Sequence, residues 1–155
     1  MMFYTFAIDS DLKATEMEKL LLGKIFNKEE MGKCKVYNKE ENSFCIDNNY
    51  FQIQVRKDEL RVARKNEFYN MNLKYFFWID IYSKNDDWDK MMMVFTGSVL
   101  KELSGDCILE SNGDTPLVIR RSNAVTADDS RLKTTTEYPF EYLDVPFQKR
   151  YIEMD

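Results

Sequence analysis

The run Leu73-Lys-Tyr-Phe-Phe-Trp-Ile-Asp-Ile-Tyr82 puts apolar side chains on both sides of an extended chain. Leu73, Tyr75, Phe77, Ile79 and Ile81 point one way, and Phe76, Trp78 and Tyr82 the other. A strand of that kind is stable only when it is covered on two faces, so it predicts an interior strand of a layered sheet. The next segment supplies a cover. From Asp86 to Ser104, Trp88, Met92, Phe95, Val99 and Leu103 recur at steps of three and four with Met91 beside them, which is one wide helical stripe. Asp86 and Asp87 suit its N-terminus, and Gly105 suits a left-handed cap at its end. Asn112-Gly113 then marks a type I′ turn within Asp106 to Arg120, which predicts Ser111 facing Asp114, Ile108 facing Leu117 and Cys107 facing Val118.

The rest of the chain extends the same plan. Phe3 to Ile8 reads as a first strand with both faces covered, and Thr15 to Phe26 as a helix burying Met17, Leu20, Leu21 and Ile25. Thr15 with Glu18 forms one possible capping box there, while Ser10 or Asp11 serve equally well as the start. Gly32 to Tyr37 and Ser43 to Asp47 are short strands. Between Tyr50 and Lys65 the alternation Phe51, Ile53, Val55 and then Leu60, Val62 predicts a hairpin turning at Lys57-Asp58-Glu59, with Glu67 to Asn70 as a connector. Ser122 to Thr126 adds a last short strand. The expected architecture is α+β: a mainly antiparallel sheet with two principal helices packed on it. Residues 1–126 form the domain, and 127–155, with two prolines, a Thr134-Thr-Thr136 run and several aromatics, an extended arm packed on it.

Composition restricts what such a domain can do. The chain has 155 residues, 22 Lys and Arg against 27 Asp and Glu, and no histidine. Without histidine there is no Ser-His or Cys-His nucleophile pair and no imidazole zinc site. A net charge of −5 disfavours nucleic acid and anionic membranes as partners and leaves a basic protein open. No apolar run is long enough to span a bilayer, and the N-terminus lacks the basic region and cleavage site of a signal peptide, so a cytoplasmic protein is expected.

Each candidate for chemistry has a plainer reading. Asp86, Asp87 and Asp89, near Asp80, read as acidic helix caps rather than as a metal site, because the oxygen-ligand spacing of a cation loop is missing. Gly105-Asp106 and Asn112-Gly113-Asp114 are turn chemistry, without the glycine spacing of a phosphate loop. Lys33 and Lys35 flank Cys34, a pattern more often found on a solvated strand than at a reactive thiol. No catalytic residue, metal ligand or cofactor is assigned.

Trp88, Met92, Val99, Leu100, Gly105-Asp106, Leu109, Asn112-Gly113, Leu117 and Arg120, in that order, resemble the C-terminal signature of the swarming-inhibition (Sit) immunity proteins of bacterial polymorphic toxin systems. The Tyr4-Thr-Phe6 strand leading into a helix is similar as well. The resemblance implies a cytoplasmic inhibitor, not an enzyme, that binds a cognate protein toxin and masks it. Because many such toxins are nucleases with basic clefts, it points to exposed carboxylates as the contact. The arm lies outside the signature, where partner-specific residues vary most easily, so Asp128, Asp129, Glu137, Glu141 and Asp144 are the expected partner-binding residues. The alternative is a small-molecule-binding or carboxylate-dependent enzyme domain, which requires a deep pocket lined by convergent polar groups.

Cys34, Cys45 and Cys107 are odd in number and lack metal-ligand spacing, so they are expected to be reduced and dispensable. Intact mass with and without alkylation should show three free thiols and no bound zinc; an intramolecular disulfide or stoichiometric zinc would refute this.

Overall fold

The computed structural model describes residues 2–132 and 137–153, so the Thr134 to Thr136 run lies outside the described residues. Among these residues nine strands make one sheet: β1 (Phe3–Ile8), β2 (Lys35–Tyr37), β3 (Ser43–Asp47), β4 (Phe51–Lys57), β5 (Tyr75–Ile81), β6 (Cys107–Ser111), β7 (Thr115–Arg121), β8 (Ala124–Ala127) and β9 (Gln148–Lys149). Their order is β2-β3-β4-β5-β1-β6-β7-β8-β9, and every pairing is antiparallel except β8 with β9. Among the described residues three α-helices accompany the sheet: α1 (Ala14–Leu20), α2 (Glu59–Tyr69) and α3 (Trp88–Glu102). The fold is therefore α+β with a mostly antiparallel sheet, as the pattern predicts, but with a third helix.

The two-faced strand sits as expected. β5 pairs with β4 on one edge and β1 on the other. Tyr75, Phe77, Ile79 and Ile81 enter the main core beneath α1 and α3, while Phe76 enters a second core beneath α2. Leu73, expected with the first set, precedes the strand and joins the second core. In α3, Met92, Phe95 and Val99 are fully buried, and Phe95 meets the rings of Phe6, Phe26, Phe51 and Phe77. Trp88, expected against β5, lies beside Tyr4 of β1. α1 runs on into a π-helical turn, Leu21–Ile25, that buries Leu21 and Ile25. Its capping contact is Lys13 N–H to Glu16 Oε1 at 2.9 Å, not Thr15 with Glu18.

Two expectations fail for identifiable reasons. The hairpin predicted from Tyr50 to Lys65 is β4 followed by α2. Asp58 Oδ1 accepts from Leu60 N at 3.0 Å and Arg61 N at 3.4 Å, and Asn70 ends the helix with φ 53°, so local caps override the alternation of Leu60 with Val62. Only Val62 and Tyr69 of α2 are buried, a stripe too thin to show as helical periodicity. The Asn112-Gly113 turn forms, with φ of 55° and 79°, but the strands pair Ser111 with Thr115, Leu109 with Val118 and Ile108 with Ile119. A β-bulge leaves Leu117 without a partner beside Pro116, which has no N–H for the ladder. The slip is one residue at the turn and two beyond the bulge, so Val118 shares the main core with Cys107 as expected, whereas Leu117, expected opposite Ile108, enters the main core while Ile108 lies in the second.

The signature residues at the end of α3 lock that helix to the sheet. Arg120 donates from Nε to Gly105 O at 2.8 Å, and from its two terminal nitrogens to Leu100 O at 2.8 Å and Leu103 O at 2.7 Å. Those carbonyls have no partner within the helix, and a cation at a helix C-terminus also meets the negative end of its dipole. Gly105, with φ 108°, lets the backbone pass so close to Asp9 O that a Cβ would collide.

Phe95→Ala removes a ring held by four others and should destabilise the fold by about 3–5 kcal/mol. A chemical denaturation midpoint equal to the parent's would show that α3 is placed in the wrong rotation.

Candidate functional site

After β8 the chain crosses the sheet edge, and the expected partner-binding carboxylates divide into two groups there. Asp128 is only 4% exposed. Its carboxylate accepts from Ser130 N at 2.9 Å, Arg131 Nη1 at 2.7 Å and Ile152 N at 3.0 Å. Arg131 also donates to Ile152 O at 2.6 Å and lies over the Tyr151 ring. Burial pushes the Asp128 carboxyl up, but hydrogen bonds from Ser130 and Ile152 and the charge of Arg131 outweigh it and hold it below the usual carboxylate value. Asp129 accepts from Tyr138 N at 2.9 Å and faces Lys149 Nζ at 3.6 Å. Both aspartates therefore fasten the arm.

The intervening segment docks on the opposite side of the sheet. A 3-10 turn, Phe140–Leu143, packs on α3 at Gly97, where any Cβ would collide with the Leu143 carbonyl. Tyr138 and Tyr4 share a hydroxyl hydrogen bond of 2.8 Å, and Phe140 and Leu143 are buried. Asp144 is exposed and pairs with Lys101 at 2.5 Å, which lowers its carboxyl from the usual value. Glu137 and Glu141 face solvent, and beside them Tyr142 is 40% exposed with Lys90 Nζ 5.0 Å above its ring. Thus the structure leaves Glu137, Glu141 and Asp144 exposed on the arm and turns Asp128 and Asp129 inward. Nothing in the sequence separates Tyr142 from the buried aromatics around it, so its exposure emerges only in the fold.

Elsewhere the polar clusters are structural ties. Asp87 receives the Tyr50 hydroxyl at 3.0 Å, Asp89 bonds Lys90 N at 2.8 Å, and Asp86 is exposed. Among the described residues no group of His, Cys, Asp and Glu is placed to hold a metal ion. The nearest approach to an acid–base constellation is buried Glu110, which is hydrogen-bonded to Lys65, to Tyr69 Oη at 2.7 Å and to Thr5 Oγ1 at 3.5 Å. Burial pulls the Lys65 ammonium down to about 8 and pushes the Tyr69 hydroxyl up to about 12. These groups spend their hydrogen bonds on one another and hold α2 to β6. All three thiols are raised by burial, Cys107 to about 12, so none is an activated thiolate. An open groove of about 560 Å³ runs beside Ile119, Arg121, Thr126, Arg150 and Tyr151.

The model of a family described as SitI3-like matches residues 2–135. No curated protein and no solved structure matches the chain. The match takes in Asp128 and Asp129, the fastening pair, and stops before Glu137, Glu141 and Asp144.

Asp128→Ala leaves Arg131 and two backbone N–H groups without their shared acceptor and should cost about 1–3 kcal/mol. Its depressed carboxyl stabilises the fold fully above the unfolded value of about 3.9 and ceases to do so as pH falls through the lower folded value. Limited proteolysis should therefore cut the arm of the variant at neutral pH and that of the parent only in acid. Equal protection of both at neutral pH would refute the clamp.

Proposed function

Since the chain belongs to the SitI3-like family, which is consistent with an immunity protein in general, we propose that it binds a cognate bacterial toxin and masks that toxin's active site or substrate surface. The observation that carries this reading is the outer side of the arm. Tyr142 stands exposed next to Glu141, with Lys90 Nζ 5.0 Å above its ring and Glu137 and Asp144 exposed on the same arm, on a segment clamped at Asp128, Tyr138 and Gly97. An aromatic anchor ringed by charge is a frequent energetic centre of protein interfaces, and a clamped segment loses little entropy on binding. Carboxylates at this position suit a basic cleft, as in a nuclease whose substrate is a polyanion, and they steer its approach. The partner is then a protein and the contact non-catalytic. No helix among the described residues is long and apolar enough to cross a membrane.

The test mixes the protein with the toxin fragment encoded beside it. Glu137→Lys with Glu141→Lys should slow association roughly tenfold at low salt and flatten its salt dependence. Tyr142→Ala should mainly speed dissociation, with a thermal midpoint close to the parent's. Parent-like binding and protection by all three substitutions together would place the interface elsewhere. Failure of any neighbouring toxin to bind would remove the immunity reading.

A further inference from the structure

α2 is anchored by one side and conspicuous on the other. Val62 and Tyr69 face the sheet, while Leu60, Arg64 and Phe68 follow at steps of four along the outer side with Arg61 adjacent. Leu60 is 89% exposed and Phe68 42%, a large solvent-facing apolar area on one short helix. Arg56, from β4, pairs in register with Phe76, and Arg61 lies over that same ring at 5.8 Å, which brings Arg56 beside the helix. None of Arg56, Arg61 and Arg64 has a carboxylate within 4 Å among the described residues, although Glu59 and Glu67 share the helix. Helix caps, the Asn66 bonds to Leu73 and the Glu110 tie account for the helix without them.

In a chain of net charge −5, arginines without acidic partners beside two exposed apolar side chains call for an outside partner. Guanidinium forks match carboxylates two-pronged, and Leu60 with Phe68 needs apolar side chains opposite. We propose that the outer side of α2 is a second docking surface, distinct from the arm, that takes an acidic protein segment carrying apolar residues among its carboxylates. A nucleic acid would leave Leu60 uncovered and meet an overall repulsive charge, and an anionic membrane would meet the same repulsion. The surface sits on the face of the sheet opposite the 3-10 turn of the arm, so the two partners would not compete.

Fluorescence anisotropy of the full chain with a labelled peptide of Asp, Glu, Leu and Phe tests this. Polyglutamate of equal length, single-stranded DNA and phosphatidylglycerol vesicles serve as the alternative occupants. The mixed peptide should bind, and Arg61→Glu with Arg64→Glu should weaken it at least tenfold, about 1.4 kcal/mol. Phe68→Ser should weaken it too, Arg61→Lys with Arg64→Lys should restore part of the affinity, and thermal midpoints should stay near the parent's because these side chains are exposed. Glu137→Lys with Glu141→Lys should leave peptide binding unchanged, which separates this surface from the toxin contact. Parent-like binding by the charge-reversed or Phe68 variants, polyglutamate binding equal to that of the peptide, tighter binding of DNA or vesicles, or loss of peptide binding in the arm variant would each overturn the proposal.

Discussion

The fold depends on β1 being hydrogen-bonded on both edges and covered on both faces. Among the described residues it is the strand that joins the β2-to-β5 half of the sheet to the β6-to-β9 half, pairing Phe6 with Phe77 on one side and with Leu109 on the other. Tyr4, Phe6 and Ile8 enter the main core, Ala7 the second core, and Thr5 reaches the Glu110 tie beneath α2. Remove β1 and two hydrophobic edges open at the centre of the sheet. Its partners lie far along the chain, so the seam closes only when both halves are present, a non-local arrangement that makes folding slow relative to a helical bundle of similar size.

β1 and β5 were legible as dense apolar runs that need cover on both faces, and α3 as one stripe at helical spacing. α2 was not legible. Its burial rests on Val62 and Tyr69, its stability on the Asp58 cap, Asn66 and the Lys65–Glu110–Tyr69 tie, and the latter contacts join residues distant in sequence. Leu60 then completed a false alternation although it faces solvent. The hairpin register failed for a related reason: Asn112-Gly113 turns the chain, but Ser111 pairs with Thr115 and Leu117 is bulged beside Pro116, two one-residue slips that no apolar pattern marks. At the candidate site, sequence supplied the carboxylates and not their burial, since the acceptor role of Asp128 requires Ile152 to return from the end of the arm.

Burial also gives the family pattern a physical meaning. Arg120 satisfies carbonyls at the end of α3, Gly105 allows the close pass of Asp9, and Asp106 holds the β7–β8 turn through Ser122 N at 2.9 Å. These residues fix where α3 lies on the sheet. Asp128 and Asp129, inside the matched region, do the same for the arm.

The arm is held from both faces at once. Its 3-10 turn rests on α3 over the main core, whereas Ile152 enters the second core beside Ile119 and Ile108, with β9 lying along β8 between them. Loss of either contact frees its own end of the segment while the other end stays docked, so the Asp128 clamp and the 3-10 turn hold different parts of the arm. Glu137, Glu141 and Tyr142 are exposed and contribute little to the core, whereas Tyr138, Phe140 and Leu143 beside them are buried and hold the backbone in place.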